Sequence, residues 1–438
     1  MLLEFTDSGF FEKLACFSRP QPVFESVEET VSRVLADVCE RGDAAVLHYS
    51  RQFDKARLEA EDLRVAPSML TEAAAALSVE DRTALDEAIR CVRDFHERTL
   101  PTSWEAPNPH GAFVGERFYP LNRVGVYIPG GGAPLVSTVV MTVVLAKLAG
   151  VPEIAVCTPP RADGEVNRAL LAALHVCGVD EVYRIGGIQA IGALAYGTSV
   201  VPSVAKIFGP GNAYVIEAKR QVFGTVGIDL LPGPSELMVI ADASANPDWV
   251  AADLLAQAEH GTGREKLYLA TPHRPFLDAV DAALRVQLKT LRHAGTIERV
   301  LNHGFARIVT RMLSETAEVA NFIAPEHLEL HVGLNALDSL SCEITTAGAV
   351  FIGADSPTVL GDFTAGPSHT LPTGRTGRFF SGLQVRDFLR RTSTVRYTPQ
   401  TLEKARGAVA AFSRLEGLDA HGGSLEIRFS ESSKGVGL

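Results

Sequence analysis

Four stretches of this sequence combine residue types that move protons or bind metal. In DWVAADLLAQAEHG, Gln257 and His260 stand three apart near the end of an expected helix and so share one of its faces. A side-chain carbonyl and an imidazole on one face offer two ligands to Zn²⁺ or to a harder cation. In NFIAPEHLEL, Glu326 and His327 stand side by side at the start of an apolar run, two groups able to carry protons near neutral pH. Neighbours on a strand point to opposite faces, but at a strand entrance both can reach one crevice. Asp362 and His369 fall in LGDFTAGPSHTLPTG, and Glu416 and His421 in LEGLDAH. Each stretch also has an ordinary reading. A histidine in a last helical turn serves as a dipole partner, Pro-Glu-His forms solvated turns, and acids and histidines in glycine-rich loops are commonly surface residues.

Three glycine-bearing turns add a second kind of chemistry. Pro129-Gly130-Gly131-Gly132 follows RVGVYI, Gly186-Gly187 follows EVYRI, and Gly209-Pro210-Gly211-Asn212 follows VAKIF. Each puts backbone N–H groups and a helix N-terminus at the carboxyl edge of a sheet, where anionic ligands bind. None is a G-x-G-x-x-G fingerprint, and any one of them is explained as a tight turn. Three on one edge point to a ligand crevice.

The elements that must position these residues show in the periodicity. Val27, Val31, Val34, Leu35 and Val38 repeat at helical spacing from Ser26 to Cys39, with Arg41-Gly42 as a stop. A further helical stretch from about Leu70 to Arg98 breaks near Ser78. Between Arg123 and Asp242, short β-rich runs alternate with helical ones, the pattern of a parallel, doubly wound sheet. After Asp242 the alternation resumes with a helix from Pro247 to His260, capped by Asn246 and closed by Gly261. KLYLAT, a long helix to about Thr290, ARIVT, a helix to Ile323, and AGAVFIG follow. The expected fold class is therefore α/β, with two incomplete Rossmann-like parallel-sheet domains, one inserted in the other. Residues 125–237 form the inserted domain and 26–124 plus 238–380 the discontinuous one. Residues 1–25 are an extension and 381–438 a helical tail, with its helix at about Thr401–Leu415. The Gly361–Phe380 stretch reads as a long functional loop.

Composition bounds the function. With 438 residues, 46% hydrophobic and 21% charged, the chain is a multidomain globular protein. Its net charge of −11 is spread along the sequence, which argues against a nucleic-acid or anionic-membrane partner and for a small-molecule substrate. Six widely spaced cysteines without a C-x-x-C fit free thiols in a reducing compartment. The start, MLLEFTDSGFFEKL, carries acids where a secretory signal is basic and then apolar. The apolar run Leu135–Ala149 contains Lys147 and falls short of the roughly twenty residues that span a bilayer. A cytoplasmic location is expected.

The ordered motifs RGDAAVLHYSRQFD, RVGVYIPGG, GGIQAIGALAYGT, IFGPGNAYVIEAKR, GIDLLPGPSE, DLLAQAEHG, APEHLEL, GAVFIG, GDFTAGPSHTLPT and EGLDAH cover nearly the whole chain. Together they resemble the histidinol dehydrogenase family. The resemblance implies one Zn²⁺ per subunit on Gln257, His260, Asp362 and His421, the last supplied by the other subunit of a homodimer with exchanged C-terminal segments. It implies Glu326 and His327 as the catalytic pair and Ser235 and Glu416 as substrate contacts beside His327 and the metal ligands. Tyr127, Gln189 and Asn212 are the implied NAD contacts, and all three lie on or just after the glycine-bearing turns. The implied reaction is a four-electron oxidation of L-histidinol through histidinal to L-histidine, with two NAD⁺ reduced in turn, closing histidine biosynthesis. His327 would accept the hydroxyl proton in the first step and Glu326 would activate water for the second. The chain departs from the family pattern at Leu145, Pro232, Phe363 and Ser368, none of them an implied ligand or acid–base group. His369 is left outside the implied ligand set. A relative acting on another small alcohol, such as a sulfonated diol, is the alternative, and Glu416 together with His421 favours histidinol. A non-catalytic homologue would be expected to have lost Glu326 or His327, and both are intact.

Overall fold

Short β-branched and aliphatic runs form strands here because helices cover both faces of the sheets they build. The computed structural model describes residues 1–19, 25–130, 134–260 and 263–430, so Gly131, Gly132 and Gly261 lie outside the described residues. The chain divides into two units: Met1–Thr99 with Leu121–Phe388, and Leu100–Pro120 with Leu389–Leu438. In chain order the strands are β1 (Leu2–Glu4), β2 (Trp104–Pro107), β3 (Phe113–Pro120), β4 (Arg123–Tyr127), β5 (Glu153–Thr158), β6 (Glu181–Arg184) and β7 (Lys206–Phe208). They continue with β8 (Gly227–Ile228), β9 (Glu236–Ala241), β10 (Lys266–Thr271), β11 (Phe305–Val309), β12 (His327–His331), β13 (Ala349–Ile352) and β14 (Leu389–Arg396).

The larger unit holds two parallel sheets, ordered β6-β5-β4-β7-β8 and β1-β11-β10-β9-β12-β13. The expected α/β class with two doubly wound sheets is the observed one, and the five-stranded sheet lies in sequence between β1 and β9. Its strand order reverses at β4 and β7, which puts the carboxyl ends of those strands, Tyr127 and Phe208, at a topological switch point.

Strand alternation sorts the six-stranded sheet into two faces. Leu237, Val239 and Ala241 of β9 join Val250, Leu254 and Ala258 of the helix Pro247–Ala258 in one core, while Met238 and Ile240 join Leu328 and Leu330 of β12 in the other. Since β12 pairs in register with β9, His327, Glu329 and His331 share the face covered by that helix, and all three are buried. A strand runs one way and the helix after it returns, so the helix's C-terminal end arrives at the amino edge of the sheet. The amino ends of β9 and β12 are there as well.

Sequence reading and structure differ in several places. β1 is an edge strand of the six-stranded sheet, three residues too short to show a period. The helix Glu25–Arg41, grouped above with 238–380, buries Val27, Val31, Val34 and Val38 against Ala155, Ile188 and Leu194 of the five-stranded sheet and its helices. The 381–438 segment is not wholly helical: it contains β14, which pairs antiparallel with β3, and β3 with β2. That sheet escaped detection because LRRTSTVR and FVGERFYP lack an apolar face. Cross-strand ion pairs, Arg391–Glu116 and Arg396–Glu105, each at 2.6 Å, flank it instead. Helices Ala294–His303 and Leu334–Glu343 are also additional to the sequence reading. The Leu135–Ala149 run is a buried helix, Val136–Leu148, as expected, and no helix among the described residues is long and apolar enough to cross a membrane.

Candidate active site

Asn246 caps the helix Pro247–Ala258 by accepting the Asp248 N–H at 2.9 Å, and Pro247 occupies its first turn. The helix ends at Ala258 with Glu259 as cap, so His260 lies in the turn beyond it and not on its last helical face. The two candidates still converge. Gln257, His260 and Asp362 line one small crevice together with Asp253, Ala256, Thr358 and Val359. Asp362 lies in a short helix, Val359–Phe363, inside what the sequence presents as a loop.

The donors in this crevice fit a borderline divalent cation. Gln257 is buried, and its amide nitrogen has no hydrogen-bond partner among the described residues. Burial pushes the Asp362 carboxyl up to about 6, with the charge of His260 opposing the shift. An enclosed amide, an imidazole and a carboxylate short of a counter-charge form an N,O set that suits Zn²⁺. Glu416 and His421 belong to the smaller unit, where Glu416 ends the helix Pro399–Glu416 and His421 lies on a further helix, Asp419–Glu426. Both are exposed.

Glu326 and His327 follow a left-handed turn at Ala324 (φ +50°) and Pro325, which ends the helix Leu313–Ile323 and starts β12. Glu236 fixes both. Its N–H donates to Glu326 Oε2 at 2.9 Å, and its carbonyl lies 3.2 Å from His327 Nδ1. A carbonyl only accepts, so Nδ1 carries the proton and Nε2 is the basic nitrogen. Burial drives the His327 imidazole down to about 3, which keeps it neutral. Burial first, then the carboxyls of Glu236 and Asp362, raise Glu326 well above the ordinary carboxylate range, while the Glu236 N–H and the Ser235 hydroxyl pull it down. Ser235 Oγ is 3.4 Å from His260 Nδ1. His369 joins the cluster, with Nδ1 3.7 Å from Asp362 Oδ1 and Nε2 3.5 Å from Thr138 Oγ1. Phe363 is exposed, whereas Ser368 is buried and donates to the Met141 carbonyl at 3.1 Å.

Among the turns of the five-stranded sheet, the Gly187 N–H donates to the Tyr127 hydroxyl at 3.1 Å. Gln189 is fully buried, and its amide donates to Asp54 at 3.0 Å. The Asn212 oxygen caps the helix Ala213–Val222 by accepting from Tyr214 and Val215, which leaves its NH₂ as the donor for a ligand.

Sequence reasoning missed Asp54, Asp253, Glu329 and His331. For the last two a signal was present: HLELH alternates at period two, so its leucines facing one core put three polar groups on the other face. Asp253 stands one helical turn before Gln257. Asp54, at the end of RGDAAVLHYSRQFD, gives no local sign of its role.

Comparison with known proteins places the chain in a family. The sequence profile described as histidinol dehydrogenase matches residues 17–429. The chain is 45% identical to a histidinol dehydrogenase of Agrobacterium fabrum over 98% of this chain and 99% of that one. It is 43% identical to one of Gluconobacter oxydans, with 98% and 99% covered. The crystal structure of histidinol dehydrogenase from Elizabethkingia anophelis superposes with a TM-score of 0.93 at 34% identity, covering 98% of each chain. Coverage this complete spans both parallel sheets and every element that lines the crevice, so the chain belongs to the histidinol dehydrogenase family.

Proposed function

We propose that this chain oxidises L-histidinol to L-histidine in two NAD⁺-dependent steps at the amino edge of β9 and β12. The observation that carries the reading is the pinning of His327 Nδ1 on the Glu236 carbonyl. It leaves a neutral imidazole with a basic Nε2 beside Glu326 and close to the crevice lined by Gln257, His260 and Asp362.

In this reading Gln257, His260 and Asp362 hold Zn²⁺, with His421 contributed by the second copy of a cytoplasmic homodimer that exchanges C-terminal segments. The ion supplies positive charge that anchors the substrate's imidazole and amino group. Ser235 and Glu416 contact the substrate, Glu416 through a charge-assisted hydrogen bond. Residues 125–237 would bind NAD⁺ through Tyr127, Gln189 and Asn212, and the cofactor would accept the hydride of each oxidation. His327 Nε2 takes the hydroxyl proton as hydride leaves. Glu326 then takes a proton from water as it adds to the aldehyde, and the resulting hydrate gives up the second hydride. Keeping the aldehyde enclosed between steps protects it from side reactions.

The test is the NADH yield of the zinc-loaded protein with NAD⁺ and limiting L-histidinol. Two NADH per histidinol, with histidine as product, is expected. Turnover of a sulfonated diol with none of histidinol would replace this reading with the alternative substrate.

A further inference from the structure

Beneath the crevice lies a polar cluster that the proton transfers do not use. Glu329 and His331 are completely buried on the face of β12 that looks toward the helix Pro247–Ala258, and Asp253 of that helix meets them. His331 Nε2 is 3.4 Å from Glu329 Oε2 and 3.6 Å from Asp253 Oδ2, and among the described residues neither ring nitrogen has a closer hydrogen-bond partner. The other oxygen of Glu329, Oε1, accepts both the N–H and the hydroxyl of Thr358, each at 2.6 Å. Thr358 begins the turn that carries Asp362, whose N–H donates to the Thr358 carbonyl at 3.3 Å.

A row of polar neighbours, hydrogen-bonded at Thr358 and at 3.4 and 3.6 Å around His331, therefore runs from one proposed metal-ligating element to the other. Asp253 sits one turn before Gln257 on the helix, and Thr358 one turn before Asp362 in the short helix. His331 and Glu329 bridge the two from the strand between them. Asp253 and Thr358 also line the crevice itself. Apolar residues at 329 and 331 would fill the same face without dictating where the Thr358 turn sits, whereas a carboxylate that accepts two hydrogen bonds from one residue fixes that residue's backbone and side chain together.

Resting on the zinc reading above, we propose that Asp253, His331 and Glu329 are positioning residues that set the separation of Gln257 and Asp362, and with it the geometry of the metal site. None of the three ligates the ion in this assignment. Their work is done through the Thr358 turn and the helix Pro247–Ala258.

The experiment measures zinc affinity of the full-length protein against a chromophoric chelator, the visible absorption of the Co²⁺-substituted protein, NAD⁺ affinity and thermal unfolding. The variants are Glu329→Ala, Thr358→Val, Thr358→Ser and, as reference, Asp362→Asn. Glu329→Ala and Thr358→Val are expected to weaken zinc binding about tenfold or more and to shift the Co²⁺ bands, with NAD⁺ affinity unchanged. Thr358→Ser keeps the hydroxyl and should return both readouts to the parent values. Parental zinc affinity and Co²⁺ spectrum in Glu329→Ala and Thr358→Val would overturn the proposal. So would zinc loss that merely follows loss of folded protein, or a second zinc equivalent in the parent that Glu329→Ala removes, which would make the cluster a cation site. Full zinc affinity in Asp362→Asn would overturn the ligand set instead, a failure distinguishable from that of the positioning role.

Discussion

Lys219 and Asp229 form an ion pair sealed inside the protein, and between them they hold both polar backbone groups of Gly209. The ammonium donates to the Gly209 carbonyl at 2.9 Å and the carboxylate accepts its N–H at 2.7 Å. Gly209 has φ +109°, and a Cβ there would lie 2.1 Å from the Tyr127 carbonyl oxygen, so this turn takes only glycine and is clamped from behind. Asp229→Asn leaves a buried ammonium without its counter-charge and should cost about 3 to 5 kcal/mol, read as a lower denaturant midpoint. The double variant Lys219→Met, Asp229→Leu removes both charges and should regain much of that stability, yet still bind NAD⁺ more weakly because the turn is no longer held. Recovery of NAD⁺ affinity along with stability would show that the pair does not shape the turn.

The proposed roles give Glu326 and His327 different oxidations, so their variants should fail at different steps. His327→Asn should slow hydride transfer from histidinol by about a hundredfold to ten-thousandfold. Glu326→Gln still accepts the Glu236 N–H and should fold normally, releasing one NADH per site quickly and the second slowly as histidinal accumulates. Rapid-mixing absorbance separates the phases. Equal slowing of both phases in both variants, or equal loss of zinc, would contradict the division of labour.

Much of the fold was readable because a parallel sheet covered on both faces demands apolar runs with helices between them. RVGVYI, EIAVCT, SELMVIA and KLYLAT announce themselves. The antiparallel sheet of β2, β3 and β14 did not, since its strands are largely solvated and β14 takes its register from β3, about 270 to 280 residues earlier in the chain. The local chemistry of Gln257, His260 and Asp362 was visible as residue types, but their meeting depends on a helix returning to the amino edge of its sheet and on a one-turn helix at Val359–Phe363. Glu329 and His331 were readable in principle from HLELH. Asp54 was not, because its partner Gln189 is 135 residues away.

That Asp54 contact carries its own prediction. The carboxylate accepts the Gln189 amide and the Gly186 N–H, and burial pushes it up to about 6. Asp54→Ala strands both donors at the turn that is assigned to NAD⁺ and should raise the Kd for NAD⁺ about tenfold, measured by calorimetry, with zinc affinity unchanged. Asp54→Asn can still accept and should fall between. Unaltered NAD⁺ affinity in Asp54→Ala would remove this residue from the cofactor region's support.

His96, far from these groups in sequence, gives a pH test of folding itself. It lies in the helix Val79–Glu97, almost fully enclosed, and neither ring nitrogen has a hydrogen-bond partner among the described residues. Burial pulls it down to about 4 from an ordinary value of 6.5. The folded-state value is thus the lower of the two, so as pH falls the unfolded chain takes up the proton first. The contribution to stability is complete above about pH 6.5 and is lost progressively between there and pH 4, to a ceiling of about 3 kcal/mol. Carboxylates elsewhere also weaken the protein in acid, so the informative quantity is the difference between parent and His96→Phe, which carries no titrating group at that site. Denaturant midpoints across this window should converge or cross as pH falls, with the variant gaining on the parent. Parallel curves would mean that His96 ionises in the folded protein as easily as in the unfolded one, and that its burial carries no electrostatic cost.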